Sequence, residues 1–442
     1  MIEDEDETLS DRPNIILIVA DDLGYGDLGS FGQKYIQTPR LDKMAEEGMR
    51  LTDFYSGSTV CAPARSVLMT GQHTGRTLIR GNFPAVGGVQ GIGAGLSRLP
   101  LREEDVTVAE LLQDEGYSTA LIGKWGLGEP NTTGTPNLKG FDYFFGFMNQ
   151  RRAHSYHPGF IWRNHTRYDL VGNWDGARGQ YTEDLFTSEA MAFIREQADT
   201  DDPFFLYLTH QVPHSEMWVP SESKESYSDK FDDPVAVYAG MVSRLDRNTG
   251  AVLDLLEELK LADNTLVIFI SDNGTHSEGG YNPGPLNSSG PLRGQKRDLY
   301  EGGIRVPTIA WWPRKIEAGS ESDHIADFAD VMPTFAQLAV TDTPDNIDGI
   351  SFLPTLFGQD EDQLTRALYW EFHERGFDQA GRRGEWKAVR KGHESEIELY
   401  NLKEDLGEKN NIADDHPEMI EWFEDFFVRE REPSQYWPSP LD

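Results

Sequence analysis

The run Asn14 to Ala20 (Asn-Ile-Ile-Leu-Ile-Val-Ala) is apolar and β-branched almost throughout, and it stops abruptly at two aspartates, Asp21 and Asp22. A strand with no polar alternation has no solvent face, so it belongs inside a parallel sheet covered on both sides. Leu266 to Ile270 repeats the pattern and stops at Ser271-Asp272-Asn273-Gly274. Phe204 to Leu208, Ser118 to Ile122 and Arg305 to Trp312 read as further strands. Helices are expected over Thr38 to Glu47, Ala62 to Thr70, Thr107 to Glu115, within Val235 to Leu261, and over Ala326 to Ala339; Gly48 and Gly116 mark two of the stops. Strands alternating with helices predict an α/β fold, a mostly parallel sheet flanked by helices. Ligands in such sheets gather beyond the carboxyl ends of the strands, where Asp21, Asp22, Asp272 and Asn273 fall.

After about residue 365 the pattern changes. Ala367 to Phe372, Trp386 to Arg390 and Ile397 to Asn401 are short candidate strands between polar turns, followed by a candidate helix near Pro417 to Val428. They predict a small C-terminal subdomain of antiparallel strands and a helix. The expected organisation is an acidic disordered tail at 1–12, a catalytic α/β domain at 13–364 and the C-terminal subdomain at 365–442.

The net charge of −35 argues against nucleic acid or an anionic membrane surface as a partner. No apolar run approaches the roughly 20 residues that span a bilayer. The first eight residues carry acid where a signal peptide carries base. The expectation is a secreted or periplasmic protein whose leader is absent from this numbering, with a cytoplasmic location as the alternative.

Three carboxylates and one amide oxygen at two strand ends form a hard-oxygen set suited to Ca²⁺ or Mg²⁺. Adjacent aspartates repel each other, and a dication at their focus relieves the repulsion. Either motif alone reads equally well as an ordinary acidic turn; two at the same sheet edge favour the metal. Cys61 is the only cysteine, so it has no disulfide partner within the chain. An isolated cysteine is ordinarily a small buried hydrophobe.

The context of Cys61 points elsewhere. Cys61-Ala62-Pro63-Ala64-Arg65, continued by Ser66 to Gly71, resembles the C-x-P-x-R signature of the type I, formylglycine-dependent sulfatases. Gly123-Lys124-Trp125, Pro213-His214, the stretch from Arg293 through Lys296 to Pro307, and Leu399-Tyr400-Asn401-Leu402 extend the resemblance from Pro13 to about Ala413. The resemblance implies an alkaline-phosphatase-like fold and hydrolysis of sulfate esters. It implies that a formylglycine-generating maturation enzyme oxidises Cys61 to Cα-formylglycine, whose hydrate attacks sulfur through one hydroxyl and later expels sulfate through the other. It further implies one Ca²⁺ held by Asp21, Asp22, Asp272, Asn273 and the modified residue 61. Arg65 would fix the nucleophile, Lys124 and Lys296 would bind sulfate, and His214 would contact sulfate and the leaving oxygen, with His210 nearby as a structural residue.

One position departs from the pattern. Many relatives carry His two residues after the first lysine, where it hydrogen-bonds the formylglycine; here that residue is Gly126. His154 is the expected replacement, with His157 and His276 as the other candidates. The expected substrate is a sulfated carbohydrate, or else a small sulfate ester. Arginines such as Arg151, Arg152, Arg163, Arg293, Arg297, Arg375, Arg382 and Arg383 could form a cationic rim, and Trp162, Trp218 and Tyr156 could offer stacking faces. A phosphonate or phosphodiester hydrolase of the same superfamily is the rival enzyme. A catalytically inactive Ca²⁺-dependent glycan-binding protein is the rival of another class.

Overall fold

Every residue of the strand Asn14–Asp21 is buried in the computed structural model, which describes residues 12–90, 97–359, 363, 365–440 and 442. Its side chains alternate between two cores: Ile16, Ile18 and Ala20 enter one, Ile15, Leu17 and Val19 the other. The strand is central because both neighbours, Phe204–Pro213 and Thr265–Ser271, run parallel to it and are equally buried.

The sheet has ten strands. Its middle five are parallel: Thr265–Ser271, Asn14–Asp21, Phe204–Pro213, Ser118–Lys124 and Tyr143–Phe147. Thr308–Trp311, Met49–Leu51 and Ser320–Ser322 continue one edge, the first two joined by antiparallel pairing. The antiparallel strands Phe160–Arg163 and Thr166–Asp169 close the other edge. Helices Pro39–Glu47, Thr182–Gln197 and Asp233–Glu258 contribute to one core, and helices Cys61–Thr70, Val108–Asp114 and Val331–Ala339 to the other. Thr107 caps its helix reciprocally with Glu110.

Several boundaries move. The strand expected over Arg305 to Trp312 is shorter, Thr308–Trp311, and antiparallel. The helix expected from Ala326 begins only at Val331, because Ala326–Asp327 pairs with Phe54–Tyr55 and Asp327 and Asp330 cap a short 3₁₀ turn between them. The Phe204 strand runs on to Pro213 and so carries His210 itself. The acidic tail expected at 1–12 lies outside the described residues except for Arg12.

The C-terminal sheet has four antiparallel strands, Ala367–Phe372, Asp378–Arg383, Trp386–Arg390 and Glu398–Asn401. Phe423, Phe426 and Phe427 of helix Pro417–Arg429 cover one face. The other face packs on Tyr55, Val60, Leu299, Tyr300 and Ile304, which flank Cys61 and Lys296 in sequence. Buried charges join the same interface. Lys387 donates to Glu301 at 2.7 Å and lies 3.5 Å from Glu408, and Arg382 reaches Asp53 at 2.6 Å. No helix among the described residues is long and apolar enough to cross a membrane.

Candidate active site

Register builds the site. Ala20 pairs with Ser271, so the two parallel strands end level, and Asp21-Asp22 comes beside Asp272-Asn273. The chain turns at Asp22 through a left-handed conformation (φ +69°), held by its backbone N–H on Asp272 Oδ1 at 3.2 Å. Leu23 N–H donates to Ser271 Oγ at 2.9 Å and fixes the next step of the same turn.

Cys61 begins the helix Cys61–Thr70, entirely buried, with its Sγ 3.3 Å from Asp21 Oδ1. Arg65 lies one turn on and is fully buried. Its Nε and Nη2 both donate to Asp272 Oδ2 (3.1 and 2.8 Å), and its Nη1 donates to the Lys124 carbonyl at 2.8 Å and to Thr209. Lys124, the last residue of its strand, places its ammonium on Asp21. Lys296 donates to Asp22 Oδ2 at 2.7 Å and lies 3.6 Å from Glu278. Asn273 donates through Nδ2 to Asp22 Oδ1 (2.7 Å) and to the Gly274 carbonyl (2.9 Å). Its Oδ1 is buried and has no hydrogen-bond partner among the described residues. All the expected site residues therefore converge, with His154 in contact with the group through His214.

The imidazoles divide by role. His214 donates from Nδ1 to the Ser215 carbonyl and presents Nε2 3.5 Å from Asp22 Oδ2. His154 packs on it, with ring centroids 4.3 Å apart. Both nitrogens of His276 are engaged: Nε2 donates to the Pro213 carbonyl (3.0 Å) and Nδ1 accepts from Glu278 N–H (2.9 Å). It is thus a brace for two loops. His157 lies against Trp218, centroids 4.1 Å apart, and His210 is tied to the buried Glu183 at 2.6 Å.

Electrostatics follows from burial and crowding. Burial alone would raise Asp22, but Lys296 outweighs it and holds the carboxyl at about 2. Burial and the adjacent Asp21 push Asp272 up to about 7 against the pull of Arg65. Burial and Asp21 also push the Cys61 thiol well above its ordinary value. Burial, then Lys124 and Lys296, drive His154 down to about 3, and burial with the same two lysines pushes His214 well below the usual imidazole range.

The donor set fits a hard divalent cation. Three crowded carboxylates are compensated only by lysines and an arginine, and a buried amide oxygen is left without a partner. Asp21, Asp22, Cys61 and His214 each offer one ligand atom, all within 4.8 Å of one another, so the structure adds an imidazole that sequence did not place there.

Sequence reasoning missed two residues. Glu278, half-buried, sits between Lys296, His214 and Arg297. Gln150 lies over Gly126, where an added Cβ would stand 2.8 Å from its Oε1. Neither belongs to a recognisable motif. The expected rim and stacking faces also change. Arg382 is locked on Asp53, Arg163 on Glu189, and Arg297 on Glu278 and Glu374, so their charges are spent internally. Tyr156 is fully buried and donates to the Gln211 and His214 carbonyls, which makes it a brace for the histidine loop.

A family profile described as Sulfatase matches residues 13–341, and one described as N-sulphoglucosamine sulphohydrolase, C-terminal, matches residues 294–425. The chain belongs to the sulfatase family. It is 34% identical over 364 residues to N-acetylgalactosamine-6-sulfatase of Canis lupus familiaris, covering 78% of this chain and 66% of that one, just under two thirds of the relative. It is 32% identical to steryl-sulfatase of Homo sapiens, covering 79% of this chain and 70% of that one. Among solved structures, Ps i-CgsB in complex with k-i-k-neocarrahexaose superposes with a TM-score of 0.83 at 29% identity, covering 97% of this chain and 96% of that one. The phosphonate monoester hydrolase of Agrobacterium radiobacter shares the fold, with a TM-score of 0.67 at 21% identity. The architecture of this sulfatase is accordingly the alkaline-phosphatase-like one.

Proposed function

We propose that this sulfatase hydrolyses sulfate esters on a sulfated glycan or its oligosaccharides, with residue 61 working as formylglycine and one Ca²⁺ held beside it. The observation that carries the reading is the setting of Cys61. A cysteine nucleophile needs surroundings that lower its pKa; this thiol is buried against Asp21 and kept neutral, while the two ammonium groups nearby are held on Asp21 and Asp22. An oxygen nucleophile made by oxidising the side chain suits the position. A hydrated aldehyde supplies two hydroxyls there, one for attack on sulfur and one through which sulfate is expelled. Asp21, Asp22, Asp272 and Asn273 would hold Ca²⁺, which supplies positive charge to nucleophile and sulfate alike.

The chain's own residues do the rest. Lys124 and Lys296 stay protonated across the neutral range and bind the sulfate oxygens. His214, neutral and fixed by the Ser215 carbonyl, faces the sulfate and the leaving oxygen. Arg65 anchors the first turn of the Cys61 helix to Asp272 and so sets where residue 61 points. His154, packed on His214, takes the part left open at Gly126. Support for a glycan comes from the relatives' substrates and ligands, and from Arg151 and Arg152. Neither arginine lies within 4 Å of a carboxylate among the described residues, although Glu129 acts on Arg152 from farther away; Arg152 lies over the Phe160 ring at 3.9 Å.

The test is a parallel assay of protein matured with a formylglycine-generating enzyme. Peptide mass and hydrazide labelling establish conversion of Cys61, and an aryl sulfate, a phosphate diester, a phosphonate and a panel of sulfated oligosaccharides are then compared. Sulfate release from the sulfates, abolished by Cys61→Ala, is expected. Faster turnover of the diester or phosphonate would replace the reading. Glycan binding without turnover in fully converted protein would make the chain a binding protein.

A further inference from the structure

Glu278 is an anomaly in an anion site. Its carboxylate is 3.6 Å from the Lys296 ammonium and 3.7 Å from His214 Nε2, the two side chains proposed to receive sulfate. It is held there by Arg297 on its other oxygen, by the Ser215 hydroxyl at 3.3 Å, and by its own backbone N–H on His276. Arg297 is in turn shared with Glu374, in the turn between strands Ala367–Phe372 and Asp378–Arg383, whose Oε1 accepts from Asn82 at 2.8 Å. A loop that only needed to be stable would not anchor a negative charge beside the group that must bind an anion.

The charges around the reacting position explain why it is tolerated. Asp21, Asp22, Asp272 and Glu278 face Arg65, Lys124 and Lys296, while Arg297 and Glu374 cancel each other. The pocket therefore carries one negative charge by itself and one positive charge once a divalent cation is bound. His276 adds no charge, because its Nδ1 accepts the Glu278 N–H, and His154 and His214 pack on each other as two buried rings 4.3 Å apart, an arrangement that disfavours charge on either. One positive charge matches a sulfate monoester, a monoanion. A phosphate monoester is a dianion at slightly alkaline pH. Without Glu278 the pocket would match the dianion.

We propose that Glu278 is a specificity-determining residue that tunes the pocket to singly charged tetrahedral esters and against phosphate monoesters. This rests on the sulfatase reading and deepens it. Glu278 makes no bond to reacting atoms. It acts by the field it exerts a few ångströms away, and Arg297 and Glu374 are the lever that holds it in place.

The test compares methyl sulfate with methyl phosphate at about pH 8, measured by calorimetry on Ca²⁺-loaded protein whose Cys61 is unconverted and which therefore cannot turn over. Glu278→Gln should shift the affinity ratio toward methyl phosphate by about 10- to 100-fold, the scale of one charge at such distances in a partly screened site. Glu278→Asp, which keeps the charge, should hold the wild-type ratio. Glu374→Gln frees the charge of Arg297 and should move the ratio the same way by a smaller factor, which keeps the idea testable if Glu278→Gln fails to fold. In converted protein, the ratio of kcat/KM for aryl phosphate over aryl sulfate should rise in parallel. An unchanged ratio in both Gln variants, or equal weakening of both ligands, would overturn the proposal by reducing Glu278 to a brace. Converted wild-type protein that fails on every sulfate ester would overturn the sulfatase reading instead, and the two failures are told apart by that control.

Discussion

Metal binding should appear as thermal stability, and the apo geometry limits its size. Asp21 and Asp22 already have Lys124 and Lys296 against them, and Asp272 has Arg65. Removing the cation therefore does not strand bare buried carboxylates, and chelation should cost only the linkage term. At a free Ca²⁺ concentration one hundred times Kd, that term is about 2.7 kcal/mol. With an unfolding entropy of about 2.1 cal/mol/K per residue, the 442-residue chain has roughly 0.9 kcal/mol/K, so Tm should rise by about 3 °C. Lys124→Met changes the balance. Asp21 loses the one ammonium ion-paired with it among the described residues, a loss on the order of 3–5 kcal/mol for a broken buried pair, and the chelated variant should melt several degrees lower. Ca²⁺ should then restore more than it adds to wild type, because it supplies the missing countercharge. Scanning calorimetry of both proteins, with chelator and with Ca²⁺ or Zn²⁺, reads this directly. A Tm indifferent to Ca²⁺ in wild type and in Lys124→Met alike would refute the reasoning. A larger shift with Zn²⁺ would move weight from the oxygens to His214 and Cys61.

Lys387→Met should destabilise by about 3–5 kcal/mol, because buried Glu408 has no other ion-pair partner among the described residues, while Glu301 keeps Arg305 at 3.3 Å; a melting curve checks it, and a change below about 1 kcal/mol would contradict the role given to the buried pair. His154 is held near 3 in the folded chain against about 6.5 when unfolded, so its contribution is present above 6.5 and is lost as pH falls from 6.5 toward 3. The decline of Tm over that window should be shallower in His154→Gln than in wild type. His154→Ala should lower the rate of the chemical step by roughly 10²–10⁴-fold with little change in affinity for the sugar portion; near-normal turnover would reject the assignment.

The parts of the fold legible in the sequence were those where local pattern and tertiary demand agree. A strand buried on both faces must be apolar throughout, so Asn14–Asp21 and Thr265–Ser271 declared themselves, and the acids at their ends located the site. Phe160–Arg163, Thr166–Asp169 and Asp378–Arg383 carry polar or mixed residues and become strands through pairing with neighbours, which no short window reveals. Lys124, Lys296 and His214 are ordinary residue types made legible only by the motifs around them. Glu278 had no such frame. Its place depends on a loop braced by His276 and on Arg297, contacts between segments that the sequence keeps apart.

At Gly126 the volume of the missing side chain and its proposed function have different occupants. Its φ of +86° disfavours any other residue, and a Cβ there would stand 2.8 Å from Gln150 Oε1. Gln150 thus occupies the volume, tethered through its Nε2 to Asn82 at 3.1 Å. The imidazole comes from another direction, on the turn that carries His154, and reaches the site by packing on His214. On the role proposed for His154, volume and proton chemistry are divided between two loops. Gly126→His should therefore fail to rescue His154→Ala by itself, since the new ring needs both a strained backbone and the space of Gln150. Adding Gln150→Ala should recover part of the lost rate if the ring and the amide compete for one place. Rescue by Gly126→His alone would show that the backbone yields more easily than its geometry implies. Failure of the triple variant, with its fold intact, would locate the function of His154 away from position 126 altogether.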